Sequence, residues 1–268
     1  MAKVHATAIV GQNVQLDEDV VIGPYCVVGD DVSIGAGTIL YAHVVVADRV
    51  KIGRGNHLYP HCAIGCCPQV LGLTPDAVLG RLEIGDGNMI REGVTMHPSK
   101  RAGGVTRVGS DILLMVGSHL GHDCIVEDKV VLSNYVQIAG HVTIEMGAWF
   151  AGMAGAHQFV TIGRWSFVAG LAGITRDVPP FLVVSGHYPA KIRGVNKRGL
   201  VRAGLTERQQ DDIYAAYKQL YRHGSTLLAK ARELAAQDGL DENVRFLVES
   251  IFRGHKHRFG RYLESFRT

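Results

Sequence analysis

The sequence predicts a mainly β protein, a parallel β-helix of six-residue repeats followed by a small α-helical unit. Three observations predict it: an aliphatic residue returns at every sixth position through most of the first 175 residues, glycine often follows that residue, and the pattern fades after Pro179-Pro180. Val4, Val10, Leu16, Ile22, Val28, Ile34, Leu40, Val46, Ile52, Leu58 and Ile64 form one unbroken series. A second, in a new phase, runs through Ile84, Ile90, Met96, Ala102, Val108, Leu114 and Leu120 to Ile174. A helix has 3.6 residues per turn and a lone strand alternates every two, so neither accounts for a strict sixfold register. A triangular coil does: each hexad makes one short strand and one corner, and stacked rungs bury a continuous aliphatic column.

Each element follows in order. Gly23, Gly29, Gly35, Gly53, Gly65, Gly85 and Gly163 suit corners, because glycine tolerates positive φ and close backbone approach. Ile64 and Ile84 are 20 residues apart, not a multiple of six, so a loop near 66–82 is expelled from the prism. A second is expected near 97–107, where Pro98 and Gly103-Gly104 interrupt strand-like sequence although the phase survives. The prism domain is placed at 1–190 and a helical domain at 191–268. In the latter, Thr206-Glu207-Arg208-Gln209 has the form of a capping box, Gly224, Gly239 and Gly254 punctuate three helical stretches, and Ile213, Tyr217 and Leu220 form an apolar stripe.

Composition narrows the function classes. No run of 18 apolar residues appears, and Met1-Ala2-Lys3-Val4-His5 lacks the apolar core of a secretory signal, so a soluble, cytoplasmic protein without membrane insertion is expected. Five irregularly spaced cysteines fit neither a disulfide framework nor a paired zinc motif and are expected to be reduced. The formal charge of +3 hides an asymmetry, since residues 191–268 hold 16 Lys or Arg against 9 Asp or Glu. Such a segment suits an acidic protein, a membrane surface or nucleic acid, and equally a solvated helical surface.

Thirteen histidines include His97, His119, His122, His141 and His157. Near its ordinary pKa an imidazole can take a hydroxyl proton during attack on an ester or thioester. His122 and His141 are 19 residues apart, about one coil, so stacking can bring them together. Outward-facing solenoid histidines are the plain alternative. Zinc is the other, and no metal is expected, because the metal-binding γ-type carbonic anhydrases of this architecture space their histidines differently from His119 and His122.

Gly117-Ser118-His119-Leu120-Gly121-His122-Asp123-Cys124, Ala139-Gly140-His141, Ala156-His157-Gln158-Phe159, Asp177-Val178-Pro179-Pro180 and Gly194-Val195-Asn196, following hexads, resemble the UDP-N-acetylglucosamine 3-O-acyltransferase family over nearly the whole chain. The resemblance implies a left-handed β-helix, a homotrimer with sites between subunits, and transfer of a (3-hydroxy)acyl chain to the sugar 3-position in the first step of lipid A biosynthesis. No cofactor is bound; the donor is acyl carrier protein carrying a 4'-phosphopantetheine thioester. Carried over by motif, His122 is the general base, Asp123 orients it, and the Gly140 amide stabilises the oxyanion. His119, His141, His157, Gln158, Gln69, Asn196 and Arg202 contact substrates, and Gly170 leaves room for a long acyl chain.

Two departures bear on the acceptor. The family's Gln-Asp-Leu-Lys in the first loop is Gln69-Val70-Leu71-Gly72 here, and its His-Arg in the second is His97-Pro98. A UDP-sugar with a 3-amino group is therefore an alternative to UDP-N-acetylglucosamine, and a non-catalytic trimer is a further one. The later N-acyltransferase of the pathway carries an extra N-terminal uridine-binding domain, for which hexads beginning at Val4 leave no room. The basic C-terminal segment finds its use in steering acidic acyl carrier protein, with no nucleic acid expected. Raising salt should raise the KM for acyl carrier protein through screening, which initial rates across a salt series would measure; a flat response excludes steering.

Overall fold

A computed structural model describes residues 1–74, 77–222 and 225–267. Its register is set by backbone pairing between coils. Lys3 pairs with Val21 and Val4 with Ile22, and the Gln12 amide donates to Asp30 Oδ1 at a separation of 18 residues. Strands starting with Lys3–Val4, Ile9–Val10 and Gln15–Leu16 found three faces, here the first, second and third, which grow into sheets of eleven, nine and eight strands. Amides of one coil donate to carbonyls of the next, as from Gly23 to Leu40 at 2.8 Å.

The inward aliphatics behave as the hexad requires. Ile22, Leu40, Leu58, Ile90, Leu114, Leu132, Phe150 and Val168 stack under the first face, none more than 2% exposed. Val4 and Val10, in the first coil, are exposed, with no coil beneath them.

Of the two properties expected of the corner glycines, close backbone approach is the commoner reason. Gly23, Gly29 and Gly35 have no positive φ. Glycine stands there because coils touch: a Cβ on Gly23 would lie 2.8 Å from the Leu40 carbonyl oxygen, and one on Gly35 2.6 Å from the Gly53 carbonyl carbon. The left-handed residue stands three positions before each aliphatic and is mostly not glycine, as at Asp19, Tyr25, His43 and His61. Such conformations are uncommon outside glycine. Stacking holds some of them, since the rings of Tyr25, His43 and His61 lie 5.1 Å apart in succession. At the corner between the third and first faces a buried polar ladder takes over. The Asn56 amide donates to Thr38 Oγ1, the Asn88 amide to Asn56 Oδ1, and the Ile112 amide to Asn88 Oδ1.

Both expelled loops leave the edge between the second and third faces. Asn56 and Asn88 stack across 32 residues and Thr95 and His119 across 24, where an undisturbed coil takes 18. The first loop thus adds fourteen residues and shifts the phase, whereas the second adds one whole hexad and preserves it. Ala102, expected inside, is consequently exposed in the second loop. Strands Arg81–Ile84 and Val105–Val108 pair over all four residues, so the loops end at 80 and 104, short of the expected 82 and 107.

Strand Leu182–Ser185 adds to the first face, and Lys191–Val195 returns antiparallel against it. The prism's sheet therefore ends after Val195 instead of at 190. Helices α1 (Lys197–Arg202), α2 (Glu207–Tyr221), α3 (Leu227–Ala235) and α4 (Glu242–His255) follow. The capping box at Thr206 and Gln209 is formed, and Ile213, Tyr217 and Leu220 of α2 are buried with Leu234, Leu247 and Ile251 over Phe181 and Leu182. Gly224 lies outside the described residues, Gly239 takes positive φ between α3 and α4, and Gly254 lies within α4 and does not end it. Among the described residues no helix is long and apolar enough to cross a membrane.

Replacing Asn88 by Ala leaves the Ile112 amide buried without its acceptor, and we expect a loss of about 1–3 kcal/mol in a urea melt. A midpoint equal to that of the unmodified protein would show that the ladder carries no stability.

Candidate active site

The edge that expels both loops also gathers the predicted catalytic residues. His122 and Asp123, Gly140 and His141, and His157 to Phe159 occupy successive corners of it, because each set follows a second-face strand: His119–Leu120, Gln137–Ile138 and Gly155–Ala156. Asp123, His141 and Phe159 are the left-handed residues of these corners, so their side chains stand in a column. The rings of His141 and Phe159 stack at 4.6 Å, and His122 meets His141 edge-on at 5.0 Å.

At the centre is a buried imidazole-carboxylate pair. His122, 6% exposed, places Nδ1 2.6 Å from Asp123 Oδ2. With the Nδ1 hydrogen donated to the carboxylate, Nε2 keeps its lone pair for a substrate proton. Asp123 is held on all sides: Ser99 Oγ donates to Oδ1, the Lys100 amide donates to Oδ2 at 3.4 Å, and its own amide donates to Thr106 Oγ1 at 2.8 Å. Burial pushes its carboxyl up, but the bonds from His122 and Ser99 and the charge of His141 outweigh this and hold it at about 2. Asp123 is thus an anion at every working pH.

The neighbouring histidines are kept neutral. Burial, with the nearby imidazoles of His97 and His122, lowers His119 to about 4; its Nδ1 shares a 2.8 Å hydrogen bond with Thr95 Oγ1. Burial lowers His141 to about 4 although Asp123 acts the other way. His97, set in the foot of the second loop, is lowered by burial too; Nδ1 donates to the Cys66 carbonyl at 2.7 Å, and Nε2 is buried with no partner among the described residues.

Gly140 explains itself by contact. A Cβ there would lie 2.6 Å from His122 Nε2, so only glycine lets that ring sit against the corner. Its amide donates to no group among the described residues. Donors of His122, Asp123 and His141 come within 4.8 Å of one another. Asp123 already accepts from Ser99, His122 and Lys100, which fits proton handling better than coordination.

Other predicted positions disperse. His157, exposed, bonds through Nδ1 to the Gln158 carbonyl. A groove of about 480 Å³ runs from His119 and His157 over Gly155 and Gly173 to Tyr188. Gly170 lies at the corner between the first and second faces, where a Cβ would come 3.3 Å from the Gly152 carbonyl oxygen. Gln69 is exposed in the first loop beside fully exposed Leu71. Asn196 caps α1 by accepting from the Gly199 amide and donates to the Trp165 carbonyl, which occupies both of its polar ends. Arg202 stacks on Trp149 at 4.5 Å on the first-face side, away from the dyad of this chain. Cys26, Cys62 and Cys124 are buried thiols and all five cysteines are unpaired; burial raises Cys62 and Cys124 to about 12, which makes both poor nucleophiles. Ser99 and Thr106 were not singled out by sequence reasoning; the preserved phase across the second loop was the available signal that its foot stacks under Asp123.

A prism of stacked hexads with a buried His-Asp pair at a corner defines a hexapeptide-repeat acyltransferase. Residues 7–42 match the family described as bacterial transferase hexapeptide (six repeats), and residues 177–258 match Udp N-acetylglucosamine O-acyltransferase, domain 2. Acyl-[acyl-carrier-protein]--UDP-N-acetylglucosamine O-acyltransferases of Paraburkholderia phymatum and Anaeromyxobacter dehalogenans are 43% and 47% identical, matching 94% and 92% of this chain and 97% of each relative. The UDP-N-acetylglucosamine acyltransferase structure from Francisella novicida superposes with a TM-score of 0.87 at 33% identity, covering 93% of this chain and 91% of that one. That from Moraxella catarrhalis gives 0.85 at 36%, covering 92% and 95%. The chain belongs to the UDP-N-acetylglucosamine O-acyltransferase family and is an acyltransferase.

The depressed pKa values set a stability window. His119 and His141 titrate near 4 when folded and near 6.5 when unfolded, so the unfolded chain takes up their protons first as pH falls. Their contribution is whole above pH 6.5 and is lost on the way down to about 4, and that of Asp123 is lost below its ordinary 3.8 toward about 2. The melting temperature should fall from pH 6.5 to 4 in the unmodified protein and fall less in a His119→Gln, His141→Gln variant; equal slopes refute the assignment.

Proposed function

We propose that the chain transfers a (3-hydroxy)acyl group from the phosphopantetheine thioester of acyl carrier protein to the 3-hydroxyl of UDP-N-acetylglucosamine, the first step of lipid A biosynthesis. The observation that carries the chemistry is the 2.6 Å contact of buried His122 through Nδ1 with Asp123, beside a Gly140 amide that has no partner among the described residues. His122 Nε2 takes the 3-hydroxyl proton as that oxygen attacks the thioester carbonyl. Asp123 steadies the imidazolium, and the Gly140 amide donates to the oxyanion. Collapse of the tetrahedral adduct breaks the carbon-sulfur bond, and the imidazolium returns its proton to the departing thiolate. The products are the 3-O-acyl sugar nucleotide and the free phosphopantetheine thiol.

The groove over Gly155 and Gly173 suits the acyl chain, which would cross the second face toward Gly170. His119, His141, His157, Gln158 and Gln69 line the approach to the acceptor. Arg202 stands away from this protomer's dyad, which in a homotrimer suits service to a neighbouring subunit's site, whereas the side chain of Asn196 is taken up by capping α1. Uncharged Val70 and Gly72 in place of a charged pair favour testing a 3-amino acceptor beside the ordinary sugar.

Acyl transfer from 3-hydroxyacyl carrier protein to each sugar tests the reading. His122→Ala should lower kcat by at least about 100-fold, the scale of general-base assistance. Faster transfer to the amine assigns the altered loop to acceptor choice, and no transfer to either sugar refutes the proposal. In the same assay Gly170→Met should shift preference to shorter acyl chains.

A further inference from the structure

Two imidazoles approach one carboxylate oxygen. Asp123 Oδ2 lies 2.6 Å from His122 Nδ1 and 3.7 Å from His141 Nε2. A carboxylate turning about its Cβ-Cγ bond would divide Oδ2 between them, and His122 would lose the acceptor that keeps its hydrogen on Nδ1. What opposes that turn is the other oxygen. Ser99, with no exposed surface, donates its hydroxyl hydrogen to Oδ1. The hydroxyl oxygen is itself pinned by the Arg101 amide at 3.1 Å. Gly104 makes the fit possible, since a Cβ there would collide with the Ser99 side chain.

We propose that Ser99 is a positioning residue, whose hydrogen bond to Oδ1 fixes the rotation of the Asp123 carboxylate so that Oδ2 serves His122 and not His141. The inference rests on His122 being the general base. It also gives the second loop a task besides lining the site, because its foot clamps the carboxylate from the coil below. The other titratable or charged groups facing the pair are His97 from the coil below, His119 from the dyad's own coil, His141 from the coil above, and Lys100 and Arg101 from the loop. A change at Ser99 leaves the charges of His97, His119, Lys100 and Arg101 in place, so a shift in the pH profile reports the carboxylate and the two imidazoles that share it.

Ser99→Ala and Ser99→Thr would be assayed for acyl transfer from pH about 5 to 9, with His122→Ala as the control. Ser99→Ala should lower kcat about tenfold, the size of one hydrogen bond to a charged group, with little change in either KM. The acid limb of its kcat profile should move to lower pH, because an imidazole with a less steady anionic partner is a weaker base. Threonine keeps the hydroxyl and should restore both. His141→Asn should shrink the Ser99→Ala effect, since it removes the competing ring; this double-mutant cycle decides the matter even if the added methyl of threonine is not accommodated. An unmoved acid limb, or fully additive effects of Ser99→Ala and His141→Asn, would overturn the proposal. An active His122→Ala enzyme would instead refute the general-base reading on which it stands.

Discussion

Everything in this protein depends on the hydrogen-bonded stacking of one coil on the next. Because the amides of one coil find their carbonyls in the next, as from Gly23 to Leu40 and, past the first loop, from His57 to Asn88, a position in one coil stands over the same position in its neighbour. Side chains distant in sequence become a column with no folding decision beyond the register itself. The aliphatic core, the Thr38-Asn56-Asn88 ladder and the Asp123-His141-Phe159 column are three products of the same rule. The dyad inherits its rigidity from this, since its residues sit on corners whose backbone is paired above and below.

Much of that was legible in the chain. The sixfold aliphatic repeat carried the solenoid, and the spacing of His122 and His141 carried their meeting, because both depend only on period. Of the two properties expected of the corner glycines, close approach between coils is the one that excludes a side chain at Gly23 and Gly35, while positive φ applies at Gly65. Periodicity says where a residue stands and not what it touches. Ser99 looks like any loop serine until the length of the insertion puts it beneath Asp123. Asn196 shows the converse: motif likeness marked it for a ligand, while capping α1 and bonding the Trp165 carbonyl occupy its side chain.

The helical unit is tied to the prism by polar as well as apolar contacts. Glu145, buried at a corner, accepts from the Arg164 amide and from Arg253 of α4. Asp177 accepts from the amides of Thr161 and Tyr262, joining the last coil to the C-terminal segment, and burial raises its carboxyl to about 6. These bonds fix the basic helices against the end of the solenoid.

The two insertions leave from the same edge, and each returns to the sheet in register, one after fourteen extra residues and the other after six. The prism closes behind them without regard to their length. A lineage can therefore lengthen, shorten or rewrite the first insertion while the His122-Asp123 pair stays in place. The exchange of a charged pair for Val70-Leu71-Gly72 is a change of that kind, made at the tip of a tether and not in the frame that holds it.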